Sequence, residues 1–562
     1  MSDAWRPDAE EQNRVTHDAG RTRRAHDAGQ NRVTHDAKQS RRAHDDKQEQ
    51  ERRVERRISA AVSISVCALT VVGQISITLL LTSFLRENAG YVYLLLQIAA
   101  LAVALWVYQR PGSQSYKLAW MCLLTATPVP GMILFCFWGG ARQSKSLRLK
   151  RVPPIPEPYE RRLEYAHNLA ALRERSPSWG RLAAYLMKRD CYLFRDTTAQ
   201  YFPDGAAFFS DLIASIRRAK RYVFLEYYIL AEGLVWDALF DALRERAAAG
   251  VEVRIIFDDF GNLFRFSGEA LQALQDAHID AQMFNPVHRY IGRVYFNYRD
   301  HRKIAVIDGE TAYTGGINLA DEYANLIERF GHWKDSAVRL RGPAAWGFAA
   351  YFMQLWKMLG RELSRPDDEY RPRRSFPPAL GYCQPFTDGP FRNPDYPIEE
   401  TYLQLISSAQ RALYVTTPYY AVEESIQTAL CIAADAGVDV RLCVPAIPDH
   451  KLAYLVAETY WGELLRHGVR IYRYAPGFLH AKSVYIDGET ALIGSTNMDY
   501  RTFQLHYECG VLLYHMPVVR ELGRDLENVM ARSELYTLEE WEARPWTRKL
   551  AASVLKLGAI WL

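Results

Sequence analysis

Two stretches of this chain place a lysine two residues after a histidine and an aspartate five residues after that lysine. His301-Arg302-Lys303 runs into Ile304-Ala305-Val306-Ile307-Asp308-Gly309, and His480-Ala481-Lys482 runs into Ser483-Val484-Tyr485-Ile486-Asp487-Gly488, so both read H-x-K, four residues, D. The register continues: Gly315-Gly316-Ile317-Asn318 stands at the same offset from its histidine as Gly494-Ser495-Thr496-Asn497. An imidazole can attack phosphorus or carry a proton, and an ammonium beside it supplies three donors and a positive charge. Together they suit a phosphate, to which Asn318 and Asn497 add amide donors while the small residues before them admit close backbone approach. Zinc is the rival ligand, since histidines on adjacent strands often bind it. A lysine beside each histidine argues against zinc, because an ammonium repels a dication but stabilises charge developing on a phosphodiester. No metal is expected.

The elements that must hold these groups are also legible. Each copy is a β-branched run, an Asp-Gly turn signal and a second run, which predicts a β-hairpin. Histidine and lysine two apart on a strand share a face, and the asparagines fall on the returning strands. Asp308 and Asp487 complete the two motifs and sit at the turns, where side-chain capping is their expected work. A reacting imidazole needs its second nitrogen fixed, usually by a carboxylate. Asp335, in HWKDSAVRL, and Glu508, in LHYECGVLL, follow the two motifs at comparable offsets and are the candidates. Glu226, in LEYYIL, is a further candidate for a buried polar role, structural or functional.

Around the motifs the pattern is helix then strand. Ala206–Ala219 and Val235–Ala249 read as helices, and Tyr222–Leu230 and Val251–Phe257 as strands. The succession returns as helix Glu399–Ala412, strand Leu413–Tyr420, helix Glu423–Ala436 and strand Val438–Val444, so the soluble part is an α/β duplication.

Before it the chain is different. Residues 1–57 are dense in charge and repeat a nine-residue unit marked by His17, His26, His35 and His44. That composition cannot bury enough apolar surface to order itself, and it reads as a disordered, solvated tail rather than a metal-binding or pH-sensing tract. Ile58–Leu85, Asn88–Gln109 and Leu118–Ala141 each lack Lys, Arg, Asp and Glu and are long enough to cross a bilayer. The first lies too far along the chain for a cleaved signal. Basic clusters at 52–57 and 142–151 both favour the cytoplasm. Two crossings plus a re-entrant piece at Pro128-Val129-Pro130-Gly131 reconcile them. With 562 residues, net charge +4 and eight cysteines without a C-x-x-C pair, the chain is neither a polycation built for nucleic acid nor a disulfide or zinc framework. Cys67, Cys122 and Cys136 read as small buried hydrophobes. The expected organisation is a tail to 57, a membrane region 58–150, a linker 151–185, and halves at 186–372 and 373–562. Trp546–Leu562 mixes basic and apolar residues as an interfacial helix does, although a helix packed on the second half fits equally.

The two motifs, with LEYYIL, FNYRDHRKIAVIDG, GGINLADEY, TTPYY, GFLHAKSVYIDG and GSTNMDYRTF, resemble the phospholipase D superfamily and, within it, the bacterial cardiolipin synthase family. The resemblance runs from the membrane segments to the carboxyl terminus, with Thr502 and His506 standing where Ser and Asn are expected. It implies two pseudo-symmetric phospholipase D-like α/β halves sharing one active site, behind membrane helices and the tail. It implies phosphatidyl transfer between two phosphatidylglycerol molecules, giving cardiolipin and glycerol through a phosphatidyl-histidine, with phosphatidylglycerol and membrane lipid as partners, no nucleic acid and no cofactor. The catalytic set is then His301, Lys303, Asp308, His480, Lys482 and Asp487, with His301 as nucleophile and His480 as acid and base. Asn318 and Asn497 bind the phosphoryl oxygens, and Asp335 and Glu508 support. The implied place is the bacterial plasma membrane with a cytoplasmic catalytic part. A membrane phospholipase D, another phosphatidyltransferase, a nuclease of the superfamily and a non-enzymatic scaffold are the alternatives.

Overall fold

The computed structural model describes residues 72–80, 83, 88–110, 113–138, 154–286, 298–389 and 397–559. The tail, with its repeat, and most of the first apolar run lie outside them.

The duplication is visible strand by strand. A seven-stranded sheet has the order Thr198–Phe202, Ala337–Arg341, Thr311–Gly315, Lys303–Ile307, Tyr222–Tyr227, Glu252–Asp258, Asp280–Phe284. The second sheet repeats that order as Tyr382–Asp388, His506–Tyr514, Thr490–Gly494, Ser483–Ile486, Ala412–Thr416, Asp439–Pro445, Arg470–Tyr474, then adds Ser533–Tyr536. In both, the central strand is parallel to its neighbour on the helix-crossover side and antiparallel to the H-x-K hairpin on the other. Residues alternate between two apolar clusters: Phe224, Ile256, Ile304 and Val306 enter one, and Val223, Leu225, Ile255, Ala305 and Ile307 enter the other. Both faces of this sheet are therefore buried, which is why its strands read as unbroken apolar runs.

Several boundaries differ from the sequence expectation for identifiable reasons. The strand expected to reach Leu230 stops at Tyr227, because side chains take the next amides: Asn318 Oδ1 accepts from Ile229 N and Asn262 Oδ1 from Leu230 N. The helix expected over Glu399–Ala412 is Pro397–Ser408, and the strand expected over Leu413–Tyr420 is Ala412–Thr416. Asp487 claims the amides of Gln410, Arg411 and Ala412, which ends helical bonding there. The expected linker 151–185 is instead largely helical. Helices Tyr159–Arg175 and Pro177–Met187 bury Tyr165, Leu172, Trp179, Leu182 and Leu186 in the larger core cluster.

Among the described residues, Ala89–Tyr108 is the one helix long and apolar enough to span a membrane. The third apolar run is two helices, Gln114–Ala126 and Pro128–Trp138, parted at Thr127. Pro128 lacks an amide hydrogen, and a Cβ on Gly131 would stand 2.7 Å from Leu123 O, so only glycine fits that crossing. Of the cysteines read as buried, Cys136 is exposed and Cys122 half-buried; both lie in apolar helices whose outer faces have no protein neighbour to bury them. Cys67 is outside the described residues. The start of the Gln114–Ala126 helix docks on the second half: Ser113 Oγ and Ser115 Oγ donate to the Glu423 carboxylate, the latter at 2.9 Å, and Ser115 Oγ meets Tyr500 OH at 3.0 Å.

Candidate active site

The two halves meet through short parallel ladders that place the histidines. Gly477–Leu479 pairs with His332–Lys334, and Arg299–Asp300 pairs with His506–Tyr507. A Cβ on Gly477 would stand 2.4 Å from His332 backbone, so glycine is required for this approach. His480 N then donates to Lys334 O at 2.7 Å, and His301 N to Tyr507 O at 2.9 Å. Each histidine thus sits where its chain leaves the other half and enters its own sheet, two or three residues before the regular strand rather than on it. The expectation of an uninterrupted H-x-K strand is corrected accordingly: the strands begin at Lys303 and Ser483. Lys303 Nζ donates back to His301 O at 2.5 Å, and Lys482 Nζ to His480 O.

This crossing pairs each imidazole with the carboxylate of the opposite half. His301 Nδ1 lies 2.8 Å from Glu508 Oε1, and His480 Nδ1 lies 2.6 Å from Asp335 Oδ2. Both acids are fully buried, and both histidines are nearly so. Asp335 Oδ1 accepts from Ser336 N at 2.7 Å, and Ser495 Oγ donates to Glu508 Oε2. A Cβ on Gly316, the counterpart of Ser495, would lie 2.2 Å from Asp335 Oδ1. With Nδ1 engaged, Nε2 is the nitrogen that each ring has left to offer.

Burial, then Lys303, holds His301 well below the ordinary imidazole range, and His506, Lys482 and His480 act in the same direction. Burial and Lys482 bring His480 down to about 4, against the pull of Asp335. Burial also lowers Lys303 to about 8 and Lys482 to about 7. Asp335 stays below the usual carboxylate range because His480 and Lys482 outweigh its desolvation, whereas burial pushes Glu508 up. The groups of both halves therefore act on one another across one site, with neutral imidazoles that have a lone pair to use and two lysines whose protonation a bound anion favours.

The remaining sequence candidates occupy defined places. Asp308 accepts from the amides of Lys220, Arg221 and Tyr222, and Asp487 from those of Gln410, Arg411 and Ala412, at 2.7–3.2 Å. Both have φ near +55° to +57°. These acids pin the hairpin turn to the edge of the neighbouring strand; counting them with groups that act on substrate is corrected by this geometry. Asn318 and Asn497 lie just past the returning strands, not on them. Asn318 Nδ2 donates to Tyr323 OH at 2.7 Å, while Asn497 Oδ1 is buried without a hydrogen bond. Glu226 Oε1 pairs with Arg302 at 2.6 Å, and Arg302 also meets Asp300 at 3.1 Å, all buried.

Sequence reasoning missed the aromatic walls. Tyr228 packs edge-on to His301 with centroids 5.0 Å apart, and Tyr323 and Trp333 each lie 5.4 Å from His480. Tyr228 and Tyr323 stand inside LEYYIL and GGINLADEY, where proximity to the motifs was the available signal. One ligand atom each from His301, His506 and Glu508 fall within 4.8 Å of one another, a set that could hold a divalent ion. Lys303 and Lys482 act on the same groups, and the His301 Nδ1 contact with Glu508 would have to be given up, so the donor set fits an anion better than a dication.

Residues 212–356 and 402–530 match the family described as cardiolipin synthase, PLD-like domain. A cardiolipin synthase of Geobacillus kaustophilus is 32% identical over 83% of this chain and 93% of that protein. An uncharacterized protein of Streptococcus mutans is 34% identical over 79% of this chain and 95% of its own length. Among solved structures, phosphatidylserine synthase of Haemophilus influenzae superposes with a TM-score of 0.53 at 16% identity, covering 68% of this chain and 99% of that one, a likeness of fold. With two H-x-K hairpins crossed into one site and this extent of similarity, the chain belongs to the cardiolipin synthase family of phospholipase D-like proteins.

Proposed function

We propose that this protein is a cardiolipin synthase. It transfers a phosphatidyl group from one phosphatidylglycerol to the terminal glycerol hydroxyl of a second, releasing glycerol. The crossed His301–Glu508 and His480–Asp335 pairs carry the reading. Held through Nδ1, the His301 ring attacks phosphorus with the Nε2 lone pair. The P–O bond to the departing glycerol breaks, and His480 gives that oxygen a proton. The free site holds His480 neutral largely through burial and Lys482; a bound diester anion offsets the lysine charge and favours the protonated ring. In the second step His480 takes the proton of the incoming hydroxyl, whose oxygen attacks phosphorus as the P–N bond breaks. Lys303, Lys482 and the Asn497 amide surround the phosphoryl oxygens, the positioning that phosphoryl transfer chiefly requires. Exchange of one phosphodiester for another needs no cofactor.

Phosphatidylglycerol and the membrane are the partners of this reading, with the enzyme as a multi-pass protein of the bacterial plasma membrane and its catalytic part cytoplasmic. The break at Thr127 supports a re-entrant third segment between two crossings. The carboxyl-terminal helix Trp546–Leu557 supports contact with lipid: Arg548 and Lys556 tie one face to Glu458 and Tyr460, while Trp546, Leu550, Val554 and Leu557 are exposed along the other. Both sequence readings of this helix are therefore compatible with one geometry. Incubation of the purified full chain with phosphatidylglycerol vesicles tests the activity. Cardiolipin and glycerol in equal amounts are expected, and phosphatidic acid without cardiolipin would reject it.

A further inference from the structure

The pseudo-symmetry of the site is broken beside the two histidines. Trp333 precedes Asp335 by two residues and His506 precedes Glu508 by two, so they are counterparts. Each flanks the catalytic imidazole of the other half, Trp333 at 5.4 Å from His480 and His506 at 5.6 Å from His301, between ring centroids. The Trp333 indole brings one N–H, itself buried without a hydrogen bond; an imidazole in the same place brings two polar atoms that need partners. Both nitrogens of His506 are sealed from water and neither makes a hydrogen bond. Its Nδ1 stands 3.6 Å from Glu508 Oε1, beyond hydrogen-bonding distance, and that oxygen already meets His301 Nδ1.

Side matters as well. His301 attacks from one face of phosphorus and the leaving oxygen departs on the face of His480, so a group beside His301 reaches the equatorial oxygens and not the leaving group. The ring centroids of His506 and His301 are 5.6 Å apart, a separation that an oxygen of a phosphoryl group on His301 Nε2 and one N–H···O bond can span. Burial, then Arg501, Arg299 and Lys303, keeps His506 far below the ordinary imidazole range, so it is neutral and carries one N–H donor.

We propose that His506 is a third functional imidazole, whose N–H donates to a non-bridging phosphoryl oxygen while phosphorus is bonded to His301. No bond to His506 forms or breaks. The assignment rests on the transfer through His301 proposed above, and it adds to the two lysines a neutral donor on the His301 side of the site.

The test compares His506→Leu, which keeps bulk but no donor, with His506→Asn, which restores one N–H, in the full-length protein on phosphatidylglycerol vesicles. Expected for His506→Leu is a fall in kcat of about tenfold, the effect of one hydrogen bond of ordinary strength. KM should stay near the wild-type value, and acid quench should show slower formation of phosphohistidine. His506→Asn should recover most of the rate, with both melting temperatures near wild type. An unchanged kcat in His506→Leu would overturn the assignment. So would equal losses in both variants, which would make the ring a packing element, or activity abolished by chelator and restored by zinc, which would make it a metal ligand. Should the wild type convert no phosphatidylglycerol, the functional reading falls by itself. The same pair of variants measured on bis(4-nitrophenyl) phosphate, which needs only transfer to His301, then decides for or against His506.

Discussion

Asp335→Asn is the most direct probe of the crossed arrangement. Asp335 is fully buried behind His480, with Oδ2 2.6 Å from His480 Nδ1 and Oδ1 accepting from Ser336 N at 2.7 Å. In the variant the amide oxygen stays on Ser336 N, because only an oxygen can accept there. The NH2 group then faces His480 Nδ1 and forces that nitrogen to accept, leaving the proton on Nε2. The ring loses the lone pair that removes the acceptor proton and the carboxylate that stabilises imidazolium. Loss of a hydrogen bond to a charged group alone costs about 1.5–3 kcal/mol, or about 10- to 150-fold in rate. Loss of general acid–base function extends this to about 10²–10⁴-fold. The fall should appear in kcat, with KM nearly constant because Asp335 lies behind the ring and not against lipid. Steady-state conversion of phosphatidylglycerol in mixed vesicles, followed by mass spectrometry, measures both. A kcat within threefold of wild type, or a loss carried wholly by KM, would refute the orienting role.

Because the free enzyme holds Lys482 at about 7 and Lys303 at about 8, kcat/KM should decline as pH rises through that window, while bound diester anion retains the protons and moves the kcat limb higher; pH–rate profiles with identical limbs would contradict this. His480 falls from an unfolded value near 6.5 to about 4 in the fold, so the unfolded chain takes the proton first. Its contribution to stability is complete above about pH 6.5 and about 3 kcal/mol of it is lost by pH 4, and denaturant titrations should show wild type losing that much more than His480→Asn. Arg302→Met strands the buried Glu226 and Asp300 and should destabilise by about 3–5 kcal/mol, partly recovered by adding Glu226→Gln; a neutral single variant would argue against the buried pair. Gly316→Ser introduces a Cβ 2.2 Å from Asp335 Oδ1, so it should reduce kcat more than the reverse change, Ser495→Gly, on the opposite side.

The sequence by itself determined the two hairpins, the spacing of His301 to Lys303 and His480 to Lys482, the alternation of helix and strand, and the apolar runs. All of these are written in residues near one another, through side-chain period and turn chemistry. It also named Asp335 and Glu508 as the acids, but not which histidine each serves. Glu508 is 207 residues from His301 and Asp335 is 145 from His480, and no local rule spans such distances. Only the tertiary structure decided that each half supplies the carboxylate of the other, because short parallel ladders and a close backbone approach at Gly477 cross the chains there. The same long-range packing converted an expected linker into core helices and set Trp333 and His506 against opposite imidazoles. Burial, a property of the assembled fold, is what turned ordinary histidines and lysines into neutral rings and titratable ammoniums.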